Sequence, residues 1–448
     1  MTEEAASNEE EEAYGSAKRF YETLLKTEWA APKDLAAYQQ DLVSDVLGHA
    51  IRNVPYHRDR LGFLLANDGS VDLSRWLEVP TMTRRDLDAH YEDLVADDVP
   101  AAHGDILPSR TSASSGNPVL IKKTRLHNTA LACASFRHAL GFNMDWSKKL
   151  VLIRAMSEGA RRPADAMPRP TRWGPNWLEP EKRGERVSAS VHKPVAEQIQ
   201  LIREAGPCYV NTSPTNAMAL AAHIARTGEE APDIAAILTV GEYVPDDLRV
   251  QCRTYLNCDV VDVFSTGECG IMACQCPESG HYHMQPELTV LEVLKPDGQP
   301  CRPGETGRVT ATPLYNYAMP LVRYQSEDYV TVGEACPCGR TSPVLSKILG
   351  RDNHHFVLKD GRRLRPEPAA EEMRKHIGFR RWQLAQISPE QAELRLMDRH
   401  DGDGVDCAGA AAYIEKLLDQ ELKVVAKTVP ALGPTSGGKF ASILCEYA

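Results

Sequence analysis

Two groups of residues in this 448-residue sequence have types and spacing that can do chemistry. The first is the run Thr111-Ser112-Ala113-Ser114-Ser115-Gly116. Hydroxyls and backbone N–H groups all donate, and small side chains permit close approach, so such a run can wrap an anion, phosphate above all. The same composition also suits a plain linker. The second group is a set of metal donors in two segments: Cys274, Cys276, His281 and His283 in "CQCPESGHYH", and Cys336 and Cys338 in "CPCGR". Two thiolates from one segment and a Cys/His pair from the other complete a tetrahedral zinc site, closed by protein ligands and therefore structural. The spacing is unlike that of a zinc finger, and cysteines that merely fall on turns are the plain alternative.

Both groups need a scaffold to position them. The length favours two or three domains with ample buried surface. From about Tyr14 to Leu65 the apolar spacing is helical, broken at "VPYHRDRL", and Thr83 in "VPTMTRRDL" reads as an N-cap. Strand-like runs at Lys149 to Ile153, Tyr209 to Thr212, Ile234 to Val240 and Asp259 to Phe264 then alternate with helical runs at Val195 to Ala205, Asn216 to Ala225 and Asp246 to Leu256. That alternation predicts an α/β fold with a largely parallel sheet. "LTVLEVL", "GRVTATPL" and "DYVTV" follow as short antiparallel strands, and a compact tail after "KILGRD" has the size of a small second domain.

Composition narrows the function. Apolar residues make up 42% and charged residues 25%, values of an ordinary globular protein, and no uncharged apolar run reaches the length a bilayer demands. The acidic start "MTEEAASNEEEEAYGS" carries neither an apolar core nor a basic lead, so it reads as a disordered approach to a cytoplasmic protein. The net charge of −11 argues against nucleic acid and against anionic membrane, and favours small-molecule chemistry. Of the twelve cysteines, the eight outside the two metal-donor segments read as reduced packing residues.

The run "RTSASSGNP" resembles the Ser/Thr/Gly-rich phosphate loop of the adenylate-forming enzymes, in particular the phenylacetate-CoA ligase-like branch. Other segments are similar in the same order: "NVPYHRDRL", "VPTMTRRDL", "EQIQLIREAGPCYVNTSPT", "GEYVP", "FSTGE", "MPLVRYQSED", "GR" at Gly350-Arg351, and "PTSGGKF". The resemblance spans nearly the whole chain after the acidic start. It implies a large domain over 14–350, with parallel α/β subdomains and a small β-barrel portion, behind a lead-in at 1–13. A small mobile α+β domain would follow over 351–448. It implies ATP-dependent activation of an aromatic or related carboxylic acid to an acyl-adenylate and pyrophosphate, followed by capture by coenzyme A.

Residue by residue, the resemblance gives Thr111, Ser112, Ala113, Ser114, Ser115 and Gly116 to the β- and γ-phosphates, and Gly241, Glu242 and Tyr243 to the adenine. Phe264 would stack on the base, with Ser265 and Thr266 beside the α-phosphate. Glu268 would hold Mg²⁺, a hard cation suited to carboxylate oxygen, and Asp328 would accept from both ribose hydroxyls. Arg351 would reach phosphate or ribose near a hinge over 351–354. Lys439, set between a Gly pair and Phe440, would bring an ammonium to the developing charge and withdraw it when the small domain rotates. Aligned to members with a structural zinc, the ligands are Cys276, His283, Cys336 and Cys338, with Cys274 or His281 as substitutes. The segment "TRWGPNWLEPEKRG" stands where relatives have a glycine-rich part of the aryl pocket; its Trp173 and Trp177 would either wall an aromatic substrate or pack on the domain surface, and a homodimer is compatible with the family's habits.

The sequence also departs from the family. Asn117 stands where lysine or another polar residue precedes the proline, Gly267 replaces a hydroxyl residue, and Asn353 and His354 replace two hinge aspartates. Two alternatives therefore stand beside the main one: an adenylate passed to an amine, a carrier-protein thiol or a small nitrogen species, and a non-catalytic nucleotide-binding relative.

Overall fold

A computed structural model describes residues 3–110, 119–154, 171–351, 355–364, 366, 368–377, 382–397, 405–430, 432 and 442–446. The chain opens with helices α1 (Glu3–Thr27), α2 (Pro32–Asn53) and α3 (Pro55–Leu61). Contrary to the expectation of disorder, the acidic start is already helical from Glu3. Glu and Ala are good helix formers, and a run of carboxylates near an N-terminus complements the helix dipole. The pair α2–α3 buries Val43, Val46, Leu47, Ile51, Leu61 and Leu64 against Leu314 and Val322. The short α4 (Arg84–Ala89) is capped at Thr83 as the sequence predicts, with Asp86 closing a reciprocal capping box.

Next comes an antiparallel hairpin, β1 (Ile106–Arg110) and β2 (Leu120–Thr124), in which Arg110 pairs with Leu120. Helix α5 (Arg125–Gly141) follows at once, capped by the Thr124 side chain. A strand–helix alternation then builds β3 (Lys149–Arg154), β4 (Arg186–Ser190), α6 (Val195–Ala205), β5 (Cys208–Thr212), α7 (Pro214–Thr227), β6 (Ile234–Thr239), α8 (Asp246–Leu256) and β7 (Asp259–Thr266). These strands pair in parallel in the order β4-β3-β5-β6-β7. Their core is aliphatic, with Val151, Ile153, Val210 and Ile237 under Ile199, Ile202, Leu220 and Leu248 from the helices.

At β7 the sheet changes character. β8 (Gly270–Gln275), β9 (Tyr282–Met284), β10 (Thr289–Leu294), β11 (Thr306–Pro313), β12 (Tyr324–Val332) and β13 (Val344–Arg351) are antiparallel. They extend the same sheet to eleven strands, in the order β10-β11-β12-β13-β9-β8-β7-β6-β5-β3-β4. The portion expected as a small barrel is thus continuous with the parallel half. Its narrowest joint is between β9 and β13, where only His283 with Val344 and Tyr282 with Leu345 are paired.

The tail carries a hairpin of β14 (Phe356–Val357) and β15 (Arg363–Leu364), then α9 (Ala370–Ile377), β16 (Trp382–Ser388), β17 (Gln391–Met397), α10 (Cys407–Leu417), β18 (Lys423–Val429) and β19 (Ile443–Cys445). Four of these strands form a separate sheet ordered β18-β17-β16-β19. Phe356, Leu384, Leu394, Ile414 and Val424 fill a core drawn wholly from residues 356–443. Among the described residues, no helix is long and apolar enough to cross a membrane.

Candidate functional site

The end of β7 is shaped by a tight turn. The Cys269 N–H donates to Thr266 Oγ1 at 3.1 Å. Gly270 then opens β8 with φ +80°, where a Cβ would lie 2.7 Å from Leu131, so glycine is required there. The turn presents Glu268, whose side chain is 12% exposed and lies 3.6 Å from the Arg84 guanidinium of α4. Arg84 is in turn held by Asp88 at 3.0 Å. Segments nearly two hundred residues apart in sequence therefore meet at one carboxylate.

Lys123 enters the same region from β2. Val119, Ile121 and Lys123 share one face by the period of two, and all three are buried. Burial holds the Lys123 pKa below the ordinary lysine value, while Cys269 and Glu268 pull it partly back. Asp328, buried on β12, completes the group: its backbone N–H donates to Ser326 Oγ at 3.1 Å, and its charge is felt at Cys269. One strand away, after β6, Glu242 accepts from the Thr215 N–H at 3.1 Å and hydroxyl at 2.6 Å, which anchors the "GEYVP" segment to the start of α7. Glu242 and Glu268 thus follow the carboxyl ends of adjacent strands, the edge at which open α/β sheets hold ligands.

Of the residues expected to serve a nucleotide, the structure gathers Glu268 and Asp328 and anchors Glu242 on the neighbouring strand. Thr111, Ser112, Ala113, Ser114, Ser115 and Gly116 lie outside the described residues, as do Lys439 and positions 352–354. The hairpin β1–β2 flanks residues 111–118, with Arg110 paired to Leu120. Phe264 is buried and packs with Met272 and Tyr282. Trp173 is buried at the opposite, amino-terminal end of β3, where its N–H donates to Lys148 O at 2.6 Å and its ring meets Trp146 and Tyr209. Trp177 packs against Tyr21 and Phe136. Trp173 is buried, whereas Trp177 stays half-buried.

A buried polar network that the sequence did not signal braces β7. Asp262 accepts from Thr239 Oγ1 and Tyr282 Oη, each at 2.7 Å, and its N–H donates to Gln275 Oε1 at 2.9 Å. Burial pushes the Asp262 carboxyl upward in pKa even so. The network ties four adjacent strands together just behind the Glu268 turn.

The metal donors converge. The ligand atoms of Cys276, His283, Cys336 and Cys338 all lie within 4.8 Å of one another. Cys276 Sγ and Cys336 Sγ are 3.8 Å apart, close to the separation of about 3.8 Å that two Zn–S bonds of about 2.3 Å subtend in a tetrahedron. His283 Nε2 is 3.2 Å from Cys338 Sγ, and its Nδ1 lies 3.2 Å from Ser342 Oγ, which orients the ring. Burial holds the His283 pKa down to about 4, so the imidazole is neutral and keeps a lone pair to give. Cys274 instead packs with Cys133 and Leu288, and His281 stands apart from the four. The donor set therefore suits a closed site for a soft or borderline divalent metal.

No family model matches the chain. A phenylacetate-coenzyme A ligase of Thermus thermophilus is 27% identical over 169 residues, which is 36% of this chain and only 38% of that protein's length. The Escherichia coli protein of the same name is 24% identical over 359 residues, 74% of each chain. A crystal structure of 2-hydroxyisobutyryl-CoA ligase in the postadenylation state, in complex with R3-HIB-AMP, matches with a TM-score of 0.71 at 18% identity, over 94% of this chain and 91% of the other. The chain thus has the fold of the adenylate-forming ligases, with a large amino-terminal and a small carboxy-terminal part.

Proposed function

We propose that this chain, built on the fold of the adenylate-forming ligases and similar in sequence to phenylacetate-CoA ligases, activates a carboxylic acid with ATP and passes the acyl group to coenzyme A. The observation that carries the reading is the meeting of Glu268, Arg84, Lys123 and Asp328 beside the carboxyl end of β7. Glu268, Arg84 and Asp328 come from segments whose order in the sequence resembles the family, and Lys123 joins them from β2. In the first step a carboxylate oxygen attacks the α-phosphorus of ATP, a P–O bond forms, and the bond to pyrophosphate breaks. In the second, the coenzyme A sulfur attacks the acyl carbon and AMP leaves.

Preorganised cations and donors at the α-phosphate lower the barrier of such a step because charge accumulates there. Glu268 is suited to hold Mg²⁺, which when bound shields charge on the phosphates. Asp328 would hold the ribose, and the Thr215-anchored Glu242 segment would flank the adenine. Thr111 to Gly116 and Lys439 would close on the triphosphate from the loop and the mobile small domain, 351–448. Zn²⁺ in the Cys276–His283–Cys336–Cys338 site would be structural, fixing two loops near the joint of the sheet. The substrate is placed among aromatic or related acids.

The test is pyrophosphate–ATP exchange across benzoates, aminobenzoates, phenylacetates, cinnamates and short hydroxy acids, followed by identification of the product with coenzyme A. Exchange with at least one acid and formation of its thioester are expected. Exchange without a thioester would redirect the second half to another nucleophile. A protein that neither binds ATP nor exchanges pyrophosphate would sink the whole reading.

A further inference from the structure

We propose that Lys123 is a phosphate-binding residue of the nucleotide site, its ammonium serving the α-phosphate beside Glu268 in place of a cation in the loop. The proposal rests on the nucleotide reading above and adds to it a residue that no resemblance supplied.

Three observations support it. The first is a break in a pattern. β2 leads with Val119 and Ile121 into the core shared with Met272 and Tyr324, and the next residue on that face should be apolar. It is a lysine, 7% exposed, on a strand that is otherwise an ordinary wall of the core. Among the described residues its ammonium makes no hydrogen bond and no ion pair within 4 Å; the acidic groups that act on it are Glu268 and Cys269. Lysine is almost never buried without a partner, because an ammonium stripped of water and left unpaired is strongly unfavourable. Such a group is kept where a ligand completes it.

The second is another orphan at the same place. His127, in the first turn of α5, is 2% exposed and its Nε2 has no partner among the described residues. That atom lies 3.4 Å from the position a Cβ would take on Gly270, which puts it against the Glu268–Gly270 turn. Two buried nitrogens without partners among the described residues, contributed by β2 and by the helix it runs into, border one carboxylate turn. A polar guest fits there better than a packed core does.

The third is the charge content of the loop. Between Thr111 and Ile121 the sequence holds no cation, and Lys122 and Lys123 are the first to follow. Of the two, Lys123 is the one on the buried face. A phosphate held by hydroxyls and backbone N–H groups alone still carries its charge, and a fixed ammonium at the end of the next strand would offset it without reordering when ligand arrives.

The experiment compares AMP and adenosine, which differ only in the phosphate. Binding of each is measured by calorimetry in EDTA for the parent, Lys123→Met and Lys123→Arg, with thermal midpoints recorded for the unliganded proteins. AMP affinity of Lys123→Met is expected to fall at least tenfold while adenosine stays within twofold of the parent. Lys123→Arg should recover most of the AMP affinity. Because methionine suits a core-facing position, the midpoint of unliganded Lys123→Met should equal or exceed that of the parent, which a lysine retained for stability would not allow. An unchanged AMP-to-adenosine ratio in Lys123→Met would overturn the proposal and leave the nucleotide site standing. Equal loss of both ligands would assign the lysine to the fold and also overturn it. A parent that binds neither molecule would overturn the nucleotide reading itself.

Discussion

Loss of the zinc ion proposed for the Cys276–His283–Cys336–Cys338 site should loosen the sheet at its thinnest joint. β9 and β13 share two residue pairs only, yet they hold the antiparallel outer strands to the rest of the eleven-stranded sheet. His283 lies in β9, Cys336 and Cys338 lie in the segment between β12 and β13, and Cys276 immediately follows β8, so a bound ion would staple that joint from one side. Between Cys276 and Cys338 it would close a loop of about 60 residues, for which the chain-entropy relation gives roughly 4 kcal/mol. For a domain this large each kcal/mol moves the midpoint by about 2 °C, so removal should lower it by roughly 8 °C. The perturbation is Cys336→Ser, alongside parent protein stripped with a strong chelator under reducing conditions. Elemental analysis should find one zinc per chain in the parent and little in the variant, and differential scanning calorimetry should show the fall in both stripped and substituted protein. Added Zn²⁺ should restore the stripped parent alone. A parent purified without chelator that holds no stoichiometric metal, or a stripped parent melting within about 2 °C of the untreated one, would refute the argument.

Further outcomes follow from other parts of the molecule. Lys439→Ala should reduce pyrophosphate exchange by a factor of about a hundred or more with little change in fold, since a positioned cation at developing charge is worth that much; equal exchange in the two proteins would remove the lysine from the reaction. Arg137 of α5 and Glu287 are nearly fully buried and 2.7 Å apart, and Arg137 also donates to Leu24 O of α1. Breaking the pair from one side should cost roughly 3–5 kcal/mol, and the double replacement Arg137→Met with Glu287→Gln should cost much less than the sum. Simple additivity in a denaturant cycle would contradict that coupling. Acid should destabilise the fold through buried histidines: burial lowers His57 and His127 to about 3 and His138 to about 4. Their contribution is complete above the unfolded value near 6.5 and is lost as pH falls from there toward the folded values, about 2 kcal/mol each by pH 5. Denaturant midpoints that stay level between pH 7 and pH 5 would count against it.

Much of the scaffold was legible because local rules and the fold agree. Helices Val195–Ala205 and Asp246–Leu256 fall where the apolar spacing sets them, each entered from a proline and left at a residue suited to a turn, Gly206 and Asn257. β3 and β6 are largely apolar runs, as strands covered on both faces should be, whereas the edge strand β4, RVSAS, has no such run and is not legible as a strand. The four metal donors could be named because thiolate and imidazole have few other reasons to cluster, although the sequence offered six candidates and left the choice to likeness with relatives.

What the sequence could not decide was contact between distant segments. Lys123 reads as one more residue in "LIKKT" until the strand's register turns it inward, and Arg84 reads as a surface charge until α4 brings it to Glu268. Trp173 and Trp177 could have served a pocket or packed on the domain surface by type alone, and only the fold sets their ring contacts with Trp146, Tyr209, Tyr21 and Phe136. Residue type and local period determine which groups can do chemistry and which elements carry them. Which of those groups meet, and which are left buried without a partner, depends on long-range packing, because loop closure over tens to hundreds of residues leaves no local signature in the chain.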